Sequence, residues 1–413
     1  MIALDQHSSG RHFLQIPGPT PVPDRILHAI GRPTIDHRGP EFAVLGKRVL
    51  SGIQRVFQTR HPVVIYPASG TGAWEAALVN LMSPGDAVLM FETGQFALLW
   101  HKIALRLGLQ PEFLSVPGTD PSTALPWAWR RAVQPELIEA RLRADRAHAI
   151  RAVCVVHSET STGVVSDIAA VRRAIDAAGH PALLLVDTIS GLGCADYRHD
   201  EWGVDVAMGG SQKGLMLPPG ISFNALSPKA IDASRAAKLP KAYWAWDEIL
   251  EMNKGGYWPS TPNTNLLYGL AESIDMLFEQ GLDVVFARHQ RWGEAVRGAV
   301  RAWRLPIQCA DPVAYSPLLT GVVTPVGVDA DALRKLIHER FDLSLGTGLG
   351  KVKGRMFRIG HLGDSNDLTL LAALAGVEMG LKLAGIGLAG SGVQATMDFF
   401  ASHPQRASLK AVA

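Results

Sequence analysis

An α/β fold built on a mainly parallel sheet is what this sequence predicts, on three observations. Short apolar runs recur between residues 60 and 230: VVIYP (63–67), AVLMF (87–91), AVCVV (152–156), ALLLVD (182–187) and VDVAMG (204–209). They are rich in branched residues and apolar at consecutive positions, as strands covered on both faces require. Ala-rich segments with helical periodicity, 72–82, 95–107 and 167–178, separate them. Strand alternating with helix implies parallel strands joined by crossover helices.

After Phe223 the apolar period becomes helical. Val285, Trp292, Val296, Val300 and Trp303 fall on one face of 283–303, and Leu266, Leu270, Ile274, Leu277 and Phe278 mark an amphipathic helix before it. The last hundred residues read as strand (318–324), helix (329–341), strand (357–360) and helix (367–383), a smaller α+β unit. The expected division is an N-terminal arm over 1–45 that completes the small unit, a large domain over 46–282 and a small C-terminal domain over 283–413.

Composition bounds the function. The 413 residues are 47% hydrophobic, enough for a large core. With 40 Lys+Arg against 38 Asp+Glu the net charge is +2, which argues against a nucleic-acid binder. Cys154, Cys194 and Cys309 form no CxxC pair, so neither a disulfide framework nor a thiolate metal site is expected, and a reducing, cytoplasmic setting is. No apolar run approaches the ~18 residues of a membrane span, and the first residues, MIALDQHSSGRHFLQ, lack the pattern of a secretory signal.

Three places could carry chemistry. YPASGTGAWEAAL sets Ser69, Gly70, Thr71 and Gly72 between a strand and a helix. Free amides at a helix N-terminus, beside glycines and hydroxyls, make an anion site, although a capped tight turn is the commoner meaning of such a fragment. Asp187 ends the run LLLVD, at the strand end where an open parallel sheet meets its ligand; a carboxylate there is more often a turn or cap residue. Lys213, in GGSQKGLMLPPG, follows another strand among small and apolar residues. Most lysines are solvated, but an amine in an apolar pocket loses proton affinity and becomes a nucleophile toward an aldehyde. An anion cradle, a carboxylate and an amine answer the phosphate, ring nitrogen and aldehyde of pyridoxal 5′-phosphate (PLP).

The stretches PASGTGAWEAAL, HSETSTGV, LLLVDTISGLG, DEWGVDVAMGGSQKGLMLPPG, WPSTPNTNLLYGL, GLDVVFARH and LSLGTGLGKVKGRMFRIGHLGD resemble the class V aminotransferases, in particular those that move an amino group from serine to glyoxylate. The likeness runs from IPGPTPVPDRI to about residue 393. It implies PLP fold type I: a large domain with a mainly parallel, seven-stranded sheet and a small α+β C-terminal domain. It implies a homodimer with its active site at the subunit interface, PLP as cofactor, and small amino acids and 2-oxo acids as substrates.

Residue by residue, the resemblance makes Lys213 the Schiff-base lysine and Asp187 the partner of the pyridine nitrogen. Ser69, Gly70, Thr71 and Gln212 would hold the phosphate; Phe96 would stack on the ring and Thr160 would lie near its phenolic oxygen. Thr261 would reach the phosphate of the neighbouring subunit, and Arg358 would clamp the substrate carboxylate with the two-donor fork of a guanidinium. His37, in DHRGPEF, receives no role. Two departures stand out: DTISG (187–191) and PSTP (259–262) replace the family's usual DGVSS and PYTP, so Thr188 is expected to add bulk behind the ring and Ser260 to remove an aromatic hydroxyl. Alanine and aspartate are alternative donors. A PLP lyase or desulfurase of the same fold is the other alternative, and the only thiol after the lysine is Cys309.

Overall fold

The computed structural model describes residues 10–404. Its strands are β1 (Phe13–Gln15), β2 (Val63–Tyr66), β3 (Ala87–Phe91), β4 (Gln110–Leu114), β5 (Ile150–Val156), β6 (Ser158–Glu159), β7 (Val164–Val165), β8 (Leu183–Asp187), β9 (Val206–Gly210), β10 (Ser222–Leu226), β11 (Leu319–Val323), β12 (Leu343–Thr347) and β13 (Met356–Gly360). Seven of them form the main sheet in the order β2-β10-β9-β8-β5-β3-β4. All its pairings are parallel except those of β10, which runs antiparallel to both β2 and β9. The expected runs are all strands here, because Val88, Val153, Leu184, Leu185 and Val206 are buried between covering helices.

Two strands of this sheet were not legible. β10, SFNAL, carries a polar centre: buried Asn224 donates to the Ala73 carbonyl and accepts from the Tyr66 hydroxyl, so its polarity is absorbed by tertiary hydrogen bonds. β4, QPEFL, is an edge strand whose proline and polar positions are tolerated because only one side pairs. A helix also went unread, Pro40–Phe57, which packs Phe42, Leu45, Val49 and Ile53 into the large core. The expected boundary at residue 45 falls inside that helix, and the segment that joins the small sheet is the short β1.

The second sheet, β1-β12-β13-β11, pairs β1 with β12 in parallel and β13 antiparallel with both neighbours. It rests on the helices Leu282–Trp303 and Asp367–Leu383 through a separate core that includes Trp292, Val296, Trp303, Phe357, Ile359 and Leu374. The long helix Leu282–Trp303 serves both cores, since Val285 at its start belongs to the large one. No helix among the described residues is long and apolar enough to cross a membrane.

Arg358 sits on β13 between Phe357 and Ile359, both fully buried. Truncating Phe357 to alanine should cost about 3 to 5 kcal/mol of stability, measurable by urea unfolding.

Candidate active site

Strand ends gather the site. β2 delivers Ser69 and Gly70 to the start of the helix Gly70–Leu81; β3 leads through Gly94 to the helix Gln95–Arg106; β5 leads to the 157–163 turn; β8 ends on Asp187; and β9 leads to Gln212 and Lys213. Parallel strands end side by side, so these segments meet at one edge of the sheet. Between them lies a cavity of about 190 Å³. Ser69, Gly70, Thr71, Phe96 and Thr160 line it, as do Asp187, Gln212 and Lys213.

The anion end is open for a ligand. Ser69 is the N-cap of Gly70–Leu81 with an extended backbone, yet its side chain makes no capping bond. Gly72 N–H donates to the Ser69 carbonyl at 2.9 Å, so the Ser69 hydroxyl and the amides of Gly70 and Thr71 remain to be satisfied. Gly70 lies so close to Ile189 that a Cβ would stand 2.4 Å from its Cδ1. The Gln212 side-chain oxygen is buried here without a partner.

Lys213 and Asp187 are 8% and 5% exposed. Burial pushes the lysine down to about 8, with the charge of Arg358 acting the same way. Burial raises Asp187 to about 7, against the opposing hydrogen bond from Ile189 N–H at 2.8 Å. Trp74 also draws the aspartate down, although its indole N–H is buried short of a regular hydrogen bond. The ammonium of Lys213 donates to the Pro17 carbonyl.

Arg358 and Thr261 stand apart from the cavity lining. Arg358, 7% exposed, donates from Nε to Thr347 O at 2.8 Å and from Nη1 to Thr160 O at 2.7 Å, which sets it behind Thr160. Burial lowers its pKa to about 10. Thr261 lies near the surface, with its hydroxyl 3.5 Å from His37 Nε2. Thr188 is fully buried, and its hydroxyl meets His157 Nδ1 at 3.2 Å, so its added bulk is spent on that contact outside the cavity lining.

Several site residues escaped sequence reasoning. Trp74, in the same motif as Gly70, lines the cavity and stacks on Trp100 at 6.0 Å; a tryptophan in an otherwise Ala-rich helix start was the available signal. Gly18 and Pro19 also line it. They come from the N-terminal segment after β1, and the proline-rich run IPGPTP was their only trace. Gly18 has φ +103, and a Cβ there would lie 2.5 Å from Lys213 Cδ. Ser190 lines the cavity and hydrogen-bonds Thr160 through its hydroxyl.

The family model for class-V aminotransferases matches residues 25–305. The chain belongs to the class-V aminotransferase family. The aminotransferase is 45% identical to the serine–glyoxylate aminotransferase of Methylorubrum extorquens over 96% of its length and 97% of that protein's. It is 42% identical to the L-aspartate–glyoxylate aminotransferase of Paracoccus denitrificans over 96% and 98%. Its fold matches the crystal structure of pyridoxamine–pyruvate aminotransferase from Mesorhizobium loti with a TM-score of 0.86, 26% identity and coverage of 96% and 99%.

Two outcomes are expected. Gly18→Ala forces Lys213 aside and should lower kcat/KM by roughly tenfold or more, with steady-state kinetics as the check. In the cofactor-free protein Asp187 binds its proton more tightly folded than unfolded. Folded chains thus hold a proton that unfolded chains release as pH rises from about 4 to about 7, and stability falls over that range. Asp187→Asn should abolish this loss, gaining on the order of a few kcal/mol over wild type by pH 7, read by denaturant titration at several pH values.

Proposed function

We propose that this aminotransferase uses PLP to transfer the amino group of L-serine, or a similarly small amino acid, to glyoxylate, giving hydroxypyruvate and glycine. The observation that carries the reading is the convergence on one cavity of a buried amine, a buried carboxylate and an open helix N-terminus. The residues fit the cofactor: the unused Ser69 hydroxyl and helix amides suit a phosphate, and the unpartnered Gln212 oxygen suits a further polar group beside it. When bound, PLP supplies an electrophilic aldehyde and a ring that withdraws electrons from the amino acid's Cα.

The chain's own residues do the rest. Lys213, held near neutrality by burial, is fit to give up its proton, to react as an amine, and then to carry a proton from the substrate's Cα as general base and acid. Asp187 is uncomfortable as an isolated anion in this pocket. Asp187 would hold the cofactor's protonated ring nitrogen, whose charge favours the carboxylate form as the carboxylate favours the proton. Phe96 and Trp74 supply aromatic surface that excludes water from the ring. Arg358 binds the substrate's α-carboxylate; its Nη2 makes no hydrogen bond among the described residues, which leaves a donor for it.

The choice of donor follows from charge. Among the described residues no arginine lines the cavity, and Arg358, set behind Thr160, is taken up by the α-carboxylate. Arg334, whose charge reaches Arg358, is engaged with Asp331 and the Leu345 carbonyl. A second carboxylate on the donor would be buried without a partner, at a cost of several kcal/mol. A short neutral donor is therefore favoured over aspartate, and glyoxylate over 2-oxoglutarate. The desulfurase alternative loses support from the thiols: Cys154, Cys194 and Cys309 are all buried, and burial pushes Cys309 up to about 11. Free, unpaired thiols also suit the reducing cytoplasm. Thr261, away from the cavity of its own subunit, is assigned to the partner's phosphate in a homodimer.

Adding L-serine to the PLP-loaded protein should convert the bound cofactor to its amine form, and glyoxylate should restore it. Release of pyruvate or sulfide from an amino acid would instead indicate a lyase. In a kcat/KM panel of serine, alanine and aspartate against glyoxylate, serine is expected to lead, and a clear preference for aspartate overturns the serine assignment. Arg358→Ala should cost about 2 to 4 kcal/mol in kcat/KM.

A further inference from the structure

We propose that Glu159 is a positioning residue of this site: it fixes the first turn of the helix Gln95–Arg106, and with it the Phe96 ring against the cofactor. The inference rests on the PLP transaminase reading above.

Glu159 ends β6 and is 0% exposed. Its Oε1 accepts from Phe96 N at 3.3 Å, from Ser161 N at 3.0 Å and from Ser161 Oγ at 2.6 Å, and its Oε2 accepts from Ala97 N at 3.1 Å. Ser161 Oγ in turn accepts from Gln95 N at 2.8 Å. The amides of residues 95–97 open the helix and have no intrahelical acceptor. Glu159 and Ser161 therefore satisfy all three, from a segment of chain more than sixty residues away.

The geometry is specific to a carboxylate. Each of these groups donates to Glu159, so both oxygens must accept, and an amide in their place would set an N–H against an N–H. A buried carboxylate is costly unless its oxygens are filled, and here donors and the positive end of a helix fill them. The chain can pass this close only at Gly94, where a Cβ would lie 2.4 Å from Ser161 Oγ and 2.5 Å from Glu159 Cγ.

Thr160, between the two capping residues, faces the other way. It lines the cavity, its hydroxyl meets Ser190, and its carbonyl accepts from Arg358. One tripeptide thus ties the ring-covering helix to the residue behind which Arg358 is anchored. The negative charge of Glu159 also raises the proton affinity of Asp187, Lys213 and Arg358, which places it within electrostatic reach of all three.

The test is a double-mutant cycle read as the dissociation constant of PLP, titrated into the cofactor-free protein. Glu159→Gln should weaken PLP by about tenfold in the wild-type background and far less in Phe96→Leu, because the ring it positions is already gone. Equal effects in the two backgrounds, or an unchanged dissociation constant in Glu159→Gln, overturn the proposal. If Glu159→Gln does not fold, Ser161→Ala, which removes the acceptor of Gln95 N without touching the charge, replaces it in the same cycle. Hydrogen exchange at the amides of residues 95–97 should quicken in the cofactor-free variant, and unaltered exchange also overturns the proposal. A wild-type chain that binds no PLP sinks the transaminase reading instead, and the exchange measurement still reports on the cap.

Discussion

Burying Lys213 at the edge of the large sheet is the constraint on which the rest of the site depends. A charged ammonium in that position is expensive, and the structure reduces the expense by lowering its proton affinity and by giving it a single carbonyl, that of Pro17. That carbonyl belongs to the chain just after β1, which is itself hydrogen-bonded to the small sheet. The amine is thus held between the two sheets. Gly18 is required beside it because any side chain would occupy the space of the lysine's own methylenes.

The same burial makes Asp187 and Lys213 interdependent. Each is shifted toward its neutral form by loss of water, and the charge of each opposes the shift of the other. Without a cofactor the carboxyl titrates at about 7 and the amine at about 8, so both change charge close to neutral pH. Groups buried in this way are stabilised by a ligand that brings complementary charges, since the fold has already removed them from water.

The packing around these groups explains why so much of the molecule converges on a cavity of about 190 Å³. The sheet places the ends of β2, β3, β5, β8 and β9 side by side, while the β6–β7 hairpin supplies Glu159 and Thr160. Arg358 then arrives from β13 in the other sheet and closes on Thr160 O. The position of Arg358 is therefore coupled to how the small sheet sits on the large one, and the Phe357 and Ile359 side chains that flank Arg358 hold its strand in the second core.

By itself the sequence determined the alternation of strand and helix, because five continuous apolar runs can be buried only in a sheet covered on both faces. It also singled out Ser69–Thr71, Asp187 and Lys213 as candidates, since each lies at or within a few residues of the end of such a run, and the structure brings them to one cavity. Tertiary structure alone decided the rest. Asn224 makes a strand centre because Tyr66 and Ala73 satisfy it from other elements. Trp74, Pro17 and Gly18 join the site because the helix after β2 and the segment after β1 happen to meet Lys213 and Asp187 in space. Glu159 caps a helix that begins more than sixty residues earlier. Such contacts leave no periodicity in the chain, for they depend on which groups face each other across the fold, and burial rewards whichever arrangement leaves no polar atom unpaired.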